Sequence, residues 1–285
     1  QEDIEMRIGI RAHDMEKLPL EQVIPKIHEK GFHCMHIALK KSIREFQVTD
    51  ATLTPGLAMY MKELCADNKI DVAVLGCYLN LANPNKEALA KTYKTYEANI
   101  RFASILGCGV VGTETGAVNE EYKYEPANHT EEALNIFINN LRPVVEYAEK
   151  MGVIVAIEPV YKHIVCDIKR ARKVLDAINS PNLRIIFDPV NVLSPDNYMR
   201  QDEIITEAFE LLRDEIAVVH AKDFVIENGE IKSVRAGAGQ FNYDLLMQNV
   251  KKYKPYIHVT LEDTKPEDVF EAKAHVEAAY ERAVL

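Results

Sequence analysis

Short apolar runs alternate with longer amphipathic segments along the whole chain. Eight of these runs have strand length and are mostly β-branched and apolar on both faces: residues 6–12, 33–39, 71–75, 109–113, 153–157, 183–187, 216–219 and 257–261. A strand covered on both sides loses its polar alternation, so these read as members of a parallel sheet flanked by helices. Between them, apolar positions recur with a helical period over residues 20–30, 52–68, 86–106, 130–151, 168–179, 201–213, 243–253 and 267–284. Strand and helix in regular turn predict βαβ units. The boundaries carry the expected punctuation. Gly31, Gly107 and Gly152 each follow a helix, where a left-handed cap favours glycine. Thr130, followed by Glu131 and Glu132, opens a helix with a capping hydroxyl and first-turn carboxylates. No linker-like stretch and no internal repeat divides the chain, so residues 1–285 are expected to form a single domain.

Eight such units either close into a barrel or spread into a doubly wound open sheet. The open form usually carries G-x-G-x-x-G after its first strand. Here the first strand runs into Gly9-Ile10-Arg11-Ala12-His13-Asp14, and the fingerprint is missing. A (β/α)8 barrel typically needs about 250 residues, which nearly fills a chain of 285. The prediction is a single (β/α)8 TIM barrel of the α/β class. The longest loops, 114–129, 189–200 and 221–242, all follow strands. In a barrel they fall on the C-terminal face, where active sites are built.

Composition removes several function classes. No apolar run approaches the roughly 18 residues that a membrane helix needs. A net charge of -10, with no dense Lys/Arg stripe, argues against a nucleic-acid partner. The five cysteines are odd in number, widely spaced and free of any CxxC, so neither a zinc ribbon nor a redox pair is indicated. The stretch 1–7 is acidic and lacks the basic-then-apolar layout of a secretory signal. A reduced, cytoplasmic setting is the expectation.

The informative chemistry sits where the later strands end. VIVAI runs into Glu158, LRIIF into Asp188, IAVV into His220 and HVTL into Glu262. If these are the fifth to eighth strands, the four side chains converge on the barrel mouth. Buried alone, such charges would be costly, and a shared cation relieves the cost. Three carboxylates and one imidazole suit one divalent metal ion, Mn²⁺, Co²⁺ or Mg²⁺ first, with Zn²⁺ or Fe²⁺ as alternatives. His13 and Glu114 end the first and fourth strands and point to the mouth, as substrate contacts or as rim hydrogen bonds. Lys222 lies two residues after His220, hence on the same face of the extended chain, to meet an anionic or carbonyl oxygen or a ligand carboxylate.

These residues sit in stretches that resemble the xylose-isomerase-like TIM-barrel superfamily. The stretches are Ile157-Glu158-Pro159, Phe187-Asp188-Pro189-Val190-Asn191, Val219-His220-Ala221-Lys222-Asp223, Gly237-Ala238-Gly239 with Tyr243-Asp244-Leu245-Leu246, and Leu261-Glu262-Asp263. They cover the C-terminal half closely, and the N-terminal half only in its strand–helix rhythm. The resemblance implies that Glu158, Asp188, His220 and Glu262 bind one metal. It also implies that Glu158 and Glu262 are the catalytic acid/base pair on opposite faces of a bound sugar. Asn191 falls where relatives often carry His. Arg235 resembles an arginine that contacts substrate hydroxyls, and reads equally as a surface arginine. At the end of the second strand relatives often place a Glu, whereas His36, Ala38 and Lys40 stand there, which leaves the substrate class open.

The leading expectation is a metal-dependent isomerase or epimerase of a small ketose or polyol ketone, acting through an enediolate. An inosose-type dehydratase begins with the same proton abstraction. An endonuclease IV-like phosphodiesterase would need further ligands where Asn191 and Ser233-Val234-Arg235 stand, and a non-catalytic sugar-binding barrel would not need the quartet. The expected partner is a small sugar or polyol, with no nucleic acid or membrane, and the resemblance leaves room for a homo-oligomer.

Overall fold

A computed structural model describes residues 5–285; residues 1–4 of the expected domain, and with them most of the acidic N-terminal stretch, lie outside the described residues. Seven strands follow in chain order: β1 (Arg7–Arg11), β2 (Cys34–Ile37), β3 (Asp71–Gly76), β4 (Val110–Thr113), β5 (Val155–Ile157), β6 (Leu183–Phe187) and β7 (Ile216–Ala221). A short antiparallel pair, β8 (Asp223–Glu227) and β9 (Glu230–Val234), comes next, and then β10 (His258–Leu261). β1 to β7 and β10 form a closed parallel barrel in which β10 pairs with both β7 and β1. The closing register sets Ile8 beside Val259 and Ile10 beside Leu261. This is the expected (β/α)8 barrel.

The helices are α1 (Leu20–Glu29), α2 (Leu39–Ser42), α3 (Pro55–Asp67), α4 (Lys86–Leu106), α5 (Glu131–Met151), α6 (Ile168–Ile178), α7 (Gln201–Leu212), α8 (Tyr243–Tyr253) and α9 (Val269–Arg282). Local chemistry explains where they start and stop. Thr130 Oγ1 accepts from the Ala133 amide at 3.1 Å and caps α5. α4 and α5 end on the left-handed Gly107 and Gly152. α3 starts three residues later than its periodicity suggested, because Thr54 caps it and Pro55 takes the first turn, where no amide partner is needed.

Two packed layers hold the barrel. Cys34, Val74, Val110, Ala156, Ile186 and Val218 come from six different strands and form a cluster of their own. Side chains from six strands can meet only inside the barrel, so these form its plug. The larger cluster joins the outward strand faces to the helices, for example Ile10, Ile37, Ile157 and Phe187 with Ile24, Phe137 and Phe209. Two features were not expected. α2 occupies the loop after β2. The loop 221–242 contains the β8–β9 hairpin, whose turn is Asn228-Gly229 with φ of 53° and 79°. That pair is a strong local hairpin signal, because a two-residue turn matching strand twist needs positive φ at both positions. Among the described residues no helix is long and apolar enough to cross a membrane, and all five cysteines are free.

Candidate metal centre

The C-terminal ends of β5, β6, β7 and β10 bring Glu158, Asp188, His220 and Glu262 together. All four are buried, and one ligand atom from each lies within 4.8 Å of those from the others. Two ligands held about 2.0–2.3 Å from one ion can be no more than about 4.6 Å apart, so the cluster is near coordination size. His220 Nδ1 is 3.2 Å from Glu158 Oε1 and 3.1 Å from Glu262 Oε1. The donor set therefore fits a divalent cation, and one atom argues for it directly. Asp188 Oδ1 accepts from the amides of Val190 and Asn191. Its Oδ2 is buried and accepts no hydrogen bond, although Lys222 Nζ stands 3.0 Å away as an ion pair. The Lys222 ammonium offsets part of the cost of burying that oxygen, and a divalent ion would supply the coordination that no hydrogen bond gives.

Protonation follows from the crowding of charge. Burial, reinforced by Glu262 and Glu158, pushes Asp188 up to about 6 against the pull of Lys222. Burial would likewise raise Glu262, but His220, Lys222 and Arg11 outweigh it and hold this carboxyl well below the usual range. Burial alone would lower His220, yet the Glu262 and Glu158 carboxylates lift it to about 9. Lys222, 7% exposed, is lifted by Asp188 and Glu262 despite its burial. These are the signs of one tight cluster with excess negative charge.

The other expected residues divide. Lys222 is part of the cluster, at 3.0 Å from Asp188 and 3.5 Å from Glu262. Asn191 donates its side-chain amide to Glu158 Oε1 at 2.8 Å, so it orients that glutamate. Glu114, just beyond β4, is pushed up to about 7 by burial and by Glu158 and Glu262, and its Oε2 is 3.9 Å from His163 Nε2. His13 lies past β1 with its ring centre 6.4 Å from that of His36. Arg235 is held by Glu271 and by Asp268, the latter at 3.6 Å.

Three further residues stand at the centre: His36 and Arg11, given no role from the sequence, and Tyr78, whose place after the third strand reads either as pocket lining or as solvated loop. His36 Nδ1 is 3.2 Å from His220 Nε2, and Tyr78 Oη is 3.1 Å from His36 Nε2. These contacts link His220, His36 and Tyr78 in one chain of hydrogen-bonding groups, whose donor and acceptor roles follow the tautomers of the two rings. Gly76 leaves room for it. A Cβ there would come within 2.8 Å of both the Tyr78 ring and His36 Nε2. Arg11 Nη1 stands 3.6 Å from Glu262 Oε1, and its Nη2 is 3.0 Å from Asp263 Oδ1. An arginine closing an apolar strand was the available signal for Arg11. Tyr78 lines the centre, whereas its neighbour Asn80 is used up in bonds to Ala117, Asn119 and Ala82.

Residues 24–282 match the family described as xylose isomerase-like TIM barrel. The chain belongs to that family. A curated relative, the probable L-ribulose-5-phosphate 3-epimerase UlaE of Mycoplasma pneumoniae (strain ATCC 29342 / M129 / Subtype 1), is 26% identical over 182 residues. That match takes in 64% of this chain and spans 55% of the relative's length. Among solved structures, a D-tagatose 3-epimerase-like protein superposes with a TM-score of 0.77 at 21% identity, covering 97% of each chain. The IOLI protein with a bound zinc atom gives 0.73 at 16% identity, covering 96% of each. Both likenesses are of fold. This xylose isomerase-like barrel thus carries its acidic quartet on the face that the architecture reserves for chemistry.

Proposed function

We propose that this xylose isomerase-like barrel is a metal-dependent epimerase or isomerase of a small ketose. The reading is carried by the buried quartet, with an Asp188 oxygen that no hydrogen bond satisfies, and is supported by the epimerase named among its relatives. Glu158, Asp188, His220 and Glu262 would hold one divalent ion, Mn²⁺, Co²⁺ or Mg²⁺ before Zn²⁺ or Fe²⁺. When bound, such an ion supplies Lewis-acid polarisation of a carbonyl.

The chain's own groups do the rest. Glu158 and Glu262 end strands that are not adjacent in the barrel, with β6 and β7 between them, so they flank a substrate from two sides. One removes the proton from the carbon beside the carbonyl, giving an enediolate. The other returns a proton to the opposite face of that carbon, or to its neighbour. Asn191 fixes the rotamer of Glu158, and Arg11 with Lys222 holds Glu262 ionised and ready to accept. A dehydratase would share the first step and differ in expelling a β-hydroxyl.

The test is isotopic. In D₂O, enzyme and ketose should place deuterium on the carbon next to the carbonyl, and a chelator should stop it. Glu158→Gln and Glu262→Gln should each cut kcat by about 10²–10⁴-fold with a much smaller change in KM. Losses of only a few-fold in both variants would make them ligands alone. Loss of the β-hydroxyl in the product would assign a dehydratase.

A further inference from the structure

The plug of the barrel determines which side chains meet above it. Inward and outward positions alternate along a strand, so the next inward layer lies two residues beyond the plug. From Ala156, Ile186 and Val218 of the plug that step leads to Glu158, Asp188 and His220 of the quartet, and from Cys34 it leads to His36. β4 obeys the same rule. A Cβ on Gly112 would stand 2.7 Å from Ile186 Cδ1 and 2.8 Å from Val74 Cγ1, both in the plug, so Gly112 faces inward. The step from Gly112 leads to Glu114. The parallel ladder holds to that height, because the Glu158 amide donates to Thr113 O at 2.8 Å. Gly112 pairs with Ala156, which sets Glu114 level with Glu158 on the neighbouring strand, at a strand spacing of about 4.8 Å.

Glu114 differs from its neighbours in that layer by what it has left to bind. Arg11 is held by Asp14, Glu262 and Asp263. His36 lies between His220 and Tyr78. Glu158 and the rest of the quartet are buried. Glu114 has a long ion contact, 3.9 Å to His163 Nε2, and 32% of its side chain stays exposed. A side chain that faces inward at the top of the barrel and keeps open surface opens into the mouth.

Its loop side is lined by two rings. Tyr122 has φ of 56°, in the left-handed region that an aromatic residue rarely enters, and its ring stacks on that of His163 with centres 5.0 Å apart. Burial pulls His163 down to about 4. Burial and the Glu114 carboxylate raise the Tyr122 hydroxyl well above its ordinary value. Both rings are therefore neutral, and neither would hold an anion beside Glu114 and Glu158. An alcohol suits the place instead, since a carboxyl accepts from it when ionised and donates to it when neutral.

We propose that Glu114 contacts a substrate hydroxyl beyond the carbon that Glu158 serves, and so selects an uncharged polyhydroxy chain on this side of the mouth. The proposal rests on the quartet being the reaction centre, and its test keeps the two apart.

Protein supplied with Mn²⁺ is screened with the 2-ketopentoses and 2-ketohexoses. The ketose of highest kcat/KM is then compared with its 1-deoxy, 4-deoxy and 5-deoxy forms on the wild type, Glu114→Gln and Glu114→Ala, each checked for folding by circular dichroism. A site built to bond a hydroxyl rejects the analogue that lacks it. One deoxy form should therefore lose about tenfold to a hundredfold in kcat/KM on the wild type, as for a hydrogen bond to a charged group. Glu114→Ala should impose a loss of that size on the parent ketose and no further loss on that deoxy form. Glu114→Gln, whose amide still bonds an alcohol, should lose less. Deoxy penalties of the same size in wild type and variants, or variants within a few-fold of wild type on the parent, would overturn the contact and leave the epimerase reading in place. If no ketose is turned over, the same comparison is read as calorimetric affinity for the ketose that binds most tightly. A penalty that vanishes in Glu114→Ala then upholds the contact and sinks the epimerase reading, and absence of ketose binding sinks both.

Discussion

Residue by residue, the centre separates groups that would hold a cation from groups that hold the holders. Asp188 and His220 lie on the face that carries chemistry rather than stability, so Asp188→Ala, although it frees the Val190 and Asn191 amides, and His220→Ala should leave the barrel folded by circular dichroism. Each should lower affinity for Mn²⁺ or Co²⁺ in a metal titration, and retention of wild-type affinity in either variant would remove that residue from the set. His36 Nδ1 meets the imidazole of His220 and stands 4.0 Å from Glu262 Oε1, so His36 forms a second candidate donor group with these two; with the quartet holding the ion, it acts as an outer partner. Outer partners of this kind are worth about 10–100-fold in metal affinity, so His36→Phe should show a loss of that order with the barrel unchanged. The quartet was legible because each member ends an apolar run, where the side-chain type stands out against its neighbours. His36 was not, because it lies inside β2, buried throughout. In such a strand the sequence does not say which face is the interior, and here the register shifts between Met35 and His36.

At the level of elements, Asp223 does for a loop what a cap does for a helix. Its Oδ1 accepts from the amides of Phe224 and Phe241 at 2.8 Å each, and its Oδ2 from Gly237 at 3.1 Å. It therefore ties the root of the β8–β9 hairpin to the segment leading into α8. Asp223→Ala leaves three backbone donors without their partner, and should cost about 2–4 kcal/mol in urea unfolding; a change within experimental error would mean that water replaces the carboxylate freely. The strand and helix rhythm was readable throughout, because alternation of apolar runs reports directly on burial. The hairpin was not read, although Asn228-Gly229 announces it locally, because both its strands are short and β9 has no buried residue. α2 shows the same limit: four residues are too few for a period.

For the whole molecule, the concentration of carboxylates at the mouth makes stability depend on pH. Glu114 titrates near 7 in the folded protein against an ordinary 4.5. Between these values the folded state keeps a proton that the unfolded chain gives up, so this group's contribution declines as pH rises through that window and stays low above it. The exposed third of its side chain screens part of the effect. In chelator-treated protein, Glu114→Gln should therefore gain stability over wild type at pH 8 and differ little at pH 4, as read by denaturant midpoints. An equal difference at both pH values would show that the proton is not held there.

The closure of the barrel has a consequence for its synthesis. β1 waits for β10, whose partner residues lie some 250 positions further on, as with Ile8 and Val259. Until β10 leaves the ribosome, the nascent sheet has two open edges, which are templates for mispairing, and so long a separation makes the final docking slow. Glu262 arrives on that same strand end. The last member of the proposed metal set and the seam of the barrel are therefore delivered together, and a chain stalled before β10 would expose both edges while holding three ligands of four. Binding a cation that prefers the complete set draws the equilibrium toward the closed form, so metal supply during synthesis should govern the yield of folded protein as well as its activity.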